Sequence, residues 1–390
     1  MPASASLKKL TDVRRYQTIE IPALDPDSCV RRRERLATLV DSQSLDAALI
    51  TNRGFVHALT GYWHRQPLTP VGLVLHARSG AAQGNATLIV PENDRARATQ
   101  DGLVDNILMY TAITGATLGE SLDASLMYAA DPALGSATRI GVCGSAPLAT
   151  RPDLSMHDIA AAYQRIRRAK DADELALLRA AIRAAEATYV VARRSLEPGV
   201  LETELHAAML AEATGCIGEA LSGWGNDFQS GSIDGTPRRR PIESGELAIF
   251  DIGVGVRGYR SDLCRTFSVG GVATDEQRKA HAHIVDTLTW LEDRMGPGVT
   301  CRSLFAEAHE RLQGWNGCVF PHHLGHGIGL DAHEVPRLNP AWDDVLAVGD
   351  VIAVEPGVYA PTLRAGIRLE HNYVVTEDGV ERLSRFPLDL

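Results

Sequence analysis

No stretch of this 390-residue chain approaches the ~18 consecutive apolar residues of a bilayer-spanning helix, which argues against membrane insertion of that kind. An apolar core is also missing behind the charged N-terminus, so this start does not read as a secretory signal. The six cysteines, Cys29, Cys143, Cys216, Cys264, Cys301 and Cys318, lack any C-x-x-C spacing. They read as reduced thiols of a cytoplasmic protein, not as a disulfide framework or a structural zinc site. Basic charge is in deficit, with 39 Lys and Arg against 49 Asp and Glu and a net charge of -10. That balance argues against nucleic acid as a partner and suits a protein that gathers cations. There is no internal repeat and no low-complexity tract.

What is present is globular: 45% hydrophobic and 23% charged residues, in a chain too long for one ordinary core. Up to about residue 150, short apolar runs at 45–51, 71–76, 86–90 and 139–143 alternate with charged, helix-like stretches such as Cys29 to Ser42. That alternation predicts an α/β sheet domain. Past a Pro-containing break the texture changes. Asp158 to Arg194 is Ala-, Leu-, Arg- and Glu-rich with helical spacing, Pro198-Gly199 ends it, and a second helix is expected over Glu202 to Ala213. Strands are expected over 246–256, 258–269, 350–359 and 366–376, with helices over about 274–295 and 301–313. This pattern predicts an α+β domain. The boundary is placed at 160, giving domains 1–160 and 161–390.

Four carboxylates lie within these apolar strand stretches: Asp251, Asp262, Glu355 and Glu370. A carboxylate in an apolar sheet is costly unless it is paired or metal-bound. Arg265 and Arg368 lie close enough in sequence to neutralise some of them, whereas two divalent cations would balance all four. The segment from Pro321 to Glu334 adds four histidines in twelve residues (His322, His323, His326 and His333), interleaved with Gly325, Gly327 and Gly329. Oxygen ligands with an imidazole suit Mn, Co, Fe or Zn in a two-metal arrangement. His323 reads as a surface residue beside the others. Cys264 reads as a packing thiol, and Arg238-Arg239-Arg240 as a solvated loop rather than a site for an anionic substrate group.

The ordered series Asp251, Ser261-Asp262-Leu263, Gly325-His326-Gly327-Ile328-Gly329, Val354-Glu355-Pro356-Gly357 and Arg368-Leu369-Glu370 resembles the pita-bread metallohydrolases. That family includes methionine aminopeptidase, aminopeptidase P, prolidase and the metal-free creatinase. The resemblance covers essentially the whole chain. Residues 165–390 are similar to the pita-bread catalytic domain. The preceding part, including Asn52 and Leu59-Thr60-Gly61-Tyr62, resembles the creatinase/prolidase N-terminal domain. It implies an α+β pita-bread domain preceded by an α/β domain, with Asp251, Asp262, His326, Glu355 and Glu370 as ligands of two divalent ions. Asp262 and Glu370 would bridge the pair, and a shared hydroxide would attack a carbonyl. Glu355 would also move protons, His322 and His333 would contact substrate and the tetrahedral intermediate, and Arg368 would orient a ligating carboxylate from behind. A homodimer is a further implication.

One position departs from the family pattern. Its peptidases carry a His-Gly pair 17 positions before the first metal Asp, and here Asp234-Gly235 stands there. An ionised aspartate cannot donate to a developing oxyanion, although it can receive a cationic substrate group. Two expectations follow: an Xaa-Pro dipeptidase or aminopeptidase acting on a small peptide, or a relative that hydrolyses or lyses a small amide, cyclic amidine or zwitterion. Asp234 lines the substrate pocket in either case.

Overall fold

The computed structural model describes residues 16–79, 84–112, 121–144, 151–225 and 227–390. The N-terminal leader region therefore lies outside the described residues. The front of the chain builds a six-stranded mixed sheet in the order β4-β3-β2-β1-β5-β6. Its strands are β1 (Ala47–Ile50), β2 (Gly72–His76), β3 (Ala86–Pro91), β4 (Asn106–Tyr110), β5 (Arg139–Cys143) and β6 (Ser155–Asp158). The four apolar runs read from the sequence are β1, β2, β3 and β5. The two edge strands escaped that reading because they bury little: β4 and β6 are mostly exposed or half-buried, so they carry no continuous apolar signal. Helices α1 (Pro26–Ser42), α2 (Arg53–Thr60), α3 (Arg95–Asp101) and α4 (Leu122–Leu134) connect or cover them.

The expected long helix from 158 onward is two helices, α5 (Ala160–Ile166) and α6 (Ala172–Ser195). Charge pairing accounts for the break. Arg167 and Lys170 turn inward onto Glu334, Arg168 onto Asp350, and the Lys170 N–H donates to Gly349 O at 2.9 Å. Glu174 then accepts from the Asp171 N–H at 3.0 Å and restarts the helix as a capping residue. Helix α7 (Glu202–Ile217) packs on α6. One apolar cluster runs continuously from Leu36 and Val56 in front to Ile182 and Phe250 behind.

The rear strands are shorter than the sequence suggests, and each expected long strand is broken near a carboxylate. The 246–256 strand splits into β9 (Leu247–Asp251) and β10 (Val254–Val256), and the 258–269 strand into β11 (Tyr259–Arg260) and β12 (Cys264–Ser268). They sort into two sheets, β11-β10-β7 and β12-β9-β8, where β7 is Gly223–Trp224 and β8 is Asp227–Ser230. The last two long runs divide in the same way, into β15 (Val351–Val354) and β16 (Gly357–Ala360), and into β17 (Ala365–Arg368) and β18 (His371–Thr376). Strands β15 and β18 join β13 (Gly325–Gly327), β14 (Glu334–Leu338) and β19 (Gly379–Arg382) in the order β14-β13-β15-β18-β19, while β16 and β17 form a separate pair. Helices α8 (Asp275–Glu292) and α9 (Cys301–Leu312) sit where the periodicity predicts them.

Arg265 is 1% exposed and spends its guanidinium on carbonyls rather than carboxylates. It donates to Cys264 O at 2.8 Å, Glu370 O at 2.6 Å, Phe386 O at 2.7 Å and Pro387 O at 3.1 Å. The reading in which it neutralises an acid is not what is found. The terminal segment is thereby fastened beneath Glu370.

Candidate metal centre

The strand breaks place the acids. Asp251 ends β9, Asp262 lies in the connection from β11 to β12, Glu355 follows β15 and Glu370 follows β17. At each break the backbone leaves one sheet for another, so the side chain turns into the space between sheets. Backbone bonds hold these corners: Glu355 N–H to Leu324 O at 2.9 Å, Glu370 N–H to Cys264 O at 3.1 Å, and Ile252 N–H to Leu263 O at 2.8 Å. His326 arrives on β13, paired with Ala353 of β15. Glycine is required beside it, since a Cβ on Gly325 would lie 2.1 Å from Ala353 O and one on Gly327 2.4 Å from Val335 O. His326 Nδ1 faces Gly327 O at 3.0 Å, which turns Nε2 toward the acids.

All five side chains line one cavity of about 690 Å³, together with Asp234, His322, His323, His333 and Arg368. His326 Nε2 lies 3.7 Å from Asp262 Oδ2 and 3.6 Å from Glu355 Oε1. Ligand atoms of Asp262, His326 and Glu370 all fall within 4.8 Å of one another. Asn372 fixes Asp262 by accepting from its N–H at 3.2 Å and donating to its carbonyl.

The electrostatics call for cations. Burial first, then the neighbouring acids, push Asp262 and Glu370 well above the usual carboxylate range, and Asp251 up to about 7 although Arg368 pulls the other way. Glu355 goes in the opposite direction. Burial raises it, but the hydrogen bond from His323 and the charges of His326 and His322 outweigh that and hold it at about 2. Glu370 Oε2 is buried and has no hydrogen-bond partner among the described residues. Crowded oxygens with an orphaned acceptor and one imidazole fit divalent cations with oxygen and nitrogen preference. Among the described residues one guanidinium forms a salt bridge with these carboxylates: Arg368 lies 3.0 Å from Asp251 and also pairs with Asp227.

The outer residues sort as follows. His322 Nε2 meets the Tyr359 hydroxyl at 2.8 Å, and the His333 ring lies 4.0 Å, centroid to centroid, from that of His326, tilted by 47°. Asp234 is exposed at the cavity wall, away from the buried acids. His323, read from sequence as a surface residue, is instead 2.8 Å from Glu355 Oε1. A doubled histidine gives no sign of which member turns inward. Asp227 was also missed, because nothing in its spacing links it to Arg368. Cys264 is fully buried; its thiol donates to Arg368 O at 3.5 Å and accepts from Arg368 Nε at 3.4 Å, so it cradles that arginine. The Arg238–Arg240 run is not a free loop, for Arg238 pairs with Glu202 at 2.7 Å and Arg240 with Glu246 at 2.5 Å.

Fold and site together define a pita-bread metallohydrolase. Residues 176–377 match the model of metallopeptidase family M24, and the chain belongs to that family. It is 35% identical over 157 residues to an Xaa-Pro dipeptidase of Pyrococcus furiosus, a match covering 40% of this chain and 44% of that protein. The chain thus spans less than half of that relative. An Xaa-Pro dipeptidase of Pyrococcus horikoshii is 26% identical over 370 residues, covering 92% of this chain and 97% of that one. The crystal structure of the prolidase from Pyrococcus horikoshii OT3 superposes with a TM-score of 0.76 at 23% identity, covering 92% of this chain and 99% of that one, which supports the two-part fold. Membership implies divalent metal. Among the described residues no helix is long and apolar enough to cross a membrane.

Proposed function

We propose that the chain is a dinuclear metal-dependent hydrolase of Xaa-Pro dipeptidase type, with Asp251, Asp262, His326, Glu355 and Glu370 as the metal ligands. The observation that carries this reading is the cluster of buried acids around His326, including the orphaned Glu370 Oε2, which divalent cations would stabilise in ionised form. As the family resemblance implies, Asp262 and Glu370 would be shared by both ions, with Asp251 holding one and His326 with Glu355 the other. Two divalent cations, of Mn, Co, Fe or Zn type, supply Lewis acidity and a nucleophile at neutral pH when bound.

The chain's own residues do the rest. Glu355, ionised and hydrogen-bonded to His323, accepts a proton at its carboxylate and returns it to the leaving nitrogen. His333 is kept neutral near pH 7 by burial, so it offers one N–H donor toward the developing oxyanion. His322, held by Tyr359, walls the substrate pocket. Arg368 fixes Asp251 in its ligating pose. Asp234 receives the cationic amino end of a small peptide. The small-molecule alternative is set aside because the relative matched over nearly its whole length bears a dipeptidase name.

Further parts of the reading are a division near residue 160, a homodimer, and a cytoplasmic location, the last supported by six buried cysteines of which none is paired. The test is hydrolysis of Ala-Pro and Leu-Pro by the metal-reconstituted chain, with loss on chelation and recovery on adding metal. Absence of cleavage at full metal loading would sink the peptidase assignment.

A further inference from the structure

A second depression of about 180 Å³ opens beside the metal cavity, bounded by Asn52, Arg53 and Trp63 from the front of the chain and by Ser222, Gly258 and Arg260 from the rear. Its volume equals about six water molecules at ~30 Å³ each. Arg260 lines both spaces and so forms a wall that the depression shares with the metal cavity.

Two guanidinium groups line it: Arg53, and Arg260, whose charge also acts on Asp262 in the metal cavity. No carboxylate lines the depression, and neither the Arg53 nor the Arg260 side chain makes a hydrogen bond or ion pair among the described residues. Most other half-buried arginines nearby do: Arg257 pairs with Glu219 at 3.0 Å and Arg97 with Asp94 at 3.1 Å. Both unpaired groups are nonetheless held in place. Arg53 lies over the Trp63 ring at 4.4 Å, a cation–π contact. Arg260 lies against the bare backbone of Gly223, where a Cβ would come within 2.7 Å of its Cζ, and its own N–H donates to Gly329 O at 2.8 Å. In a chain with ten more acids than bases, two packed arginines facing one depression that no carboxylate lines amount to a prepared anion receptor. Guanidinium forks match carboxylates in two-point geometry.

We propose that this depression is an anion subsite that takes a carboxylate of the substrate lying in the metal cavity. The proposal rests on the peptidase reading above and adds a selectivity to it. The carboxylate comes either from the free C-terminus of a dipeptide or from an acidic side chain, and kinetics separate the two.

The metal-loaded chain and its Arg53→Gln, Arg260→Gln and Gly223→Ala variants are assayed on Ala-Pro, Ala-Pro-amide and Glu-Pro-amide, with metal content measured for each. Gly223→Ala keeps both charges but displaces the Arg260 guanidinium, whose flexible end can yield without disturbing the fold. If the C-terminus is bound, the kcat/KM ratio of Ala-Pro over Ala-Pro-amide falls about tenfold in the variants, chiefly through KM, equivalent to ~1.4 kcal/mol. If an acidic side chain is bound, the ratio of Glu-Pro-amide over Ala-Pro-amide falls instead. Both ratios staying at wild-type values overturns the subsite. Should the wild type cleave none of these, the peptidase reading fails, and titration of the chelated full-length chain with inorganic phosphate decides the subsite alone. Saturable binding weakened about tenfold by Arg53→Gln and Arg260→Gln supports it, and its absence overturns it.

Discussion

Loading the centre with divalent metal at pH 6 should release at least about nine-tenths of a proton per chain, because ligands bind metal only when deprotonated. The count follows from the individual groups. Asp251, raised to about 7 by burial, retains about nine-tenths of a proton at pH 6 and about one-tenth at pH 8. Asp262 and Glu370 are raised as well, by burial and by their acidic neighbours, and add to the release, the three acids titrating as a group. Glu355, at about 2, and His326, brought to about 4 by burial, are already in their ligating forms and contribute none. The Asp251 share alone makes the count fall by ~0.8 between pH 6 and pH 8. Calorimetric titration of Mn²⁺ into the chelated protein, in buffers of different ionisation enthalpy, reads the number directly. Release of less than about half a proton at pH 6 would refute the placement of these acids in one shared space. The same linkage acts on stability. Asp251 holds its proton more tightly folded than unfolded, so its contribution is full below pH ~4 and is lost as pH rises through about 7. Going from 3.8 to about 7 at 1.36 kcal/mol per pH step corresponds to ~4 kcal/mol. The gap in Tm between loaded and metal-free protein therefore widens from pH 5 to pH 8, the histidines buried in both forms cancelling in that difference.

Asp262→Ala and Glu370→Ala should each abolish binding of both ions by elemental analysis; retention of one ion would argue against bridging. Asp234→His should raise kcat/KM for Ala-Pro, and an unchanged value would count against Asp234 facing the substrate. Arg167→Met, which strips one of two cations from the buried Glu334, should cost about 3–5 kcal/mol in urea unfolding. A loss under 1 kcal/mol would show that Lys170 suffices.

The gathering of the five candidate ligands in one cavity was legible because each combines an improbable residue type with an apolar neighbourhood, and that contrast survives in a bare sequence. The interruptions at Asp251, Asp262, Glu355 and Glu370 were not. Leu247 to Val256 is apolar on both sides of Asp251, and hydropathy does not record that β9 and β10 pair with different partners. The separation of α5 from α6 was hidden in the same way, since Arg167 and Lys170 suit a helix surface and only Glu334, far along the chain, draws them inward. Arg368 could be placed behind a ligand from the motif, while its second partner Asp227 and the thiol of Cys264 depend on packing alone.

The carbonyls that hold Arg265 carry a practical consequence for handling the protein. Two of its four acceptors belong to Phe386 and Pro387, so trimming the last five residues strips half the support from a buried cation directly under Glu370. A shortened version should fold yet lose its grip on the ions, whereas a purification tag appended after Leu390 leaves that clasp intact.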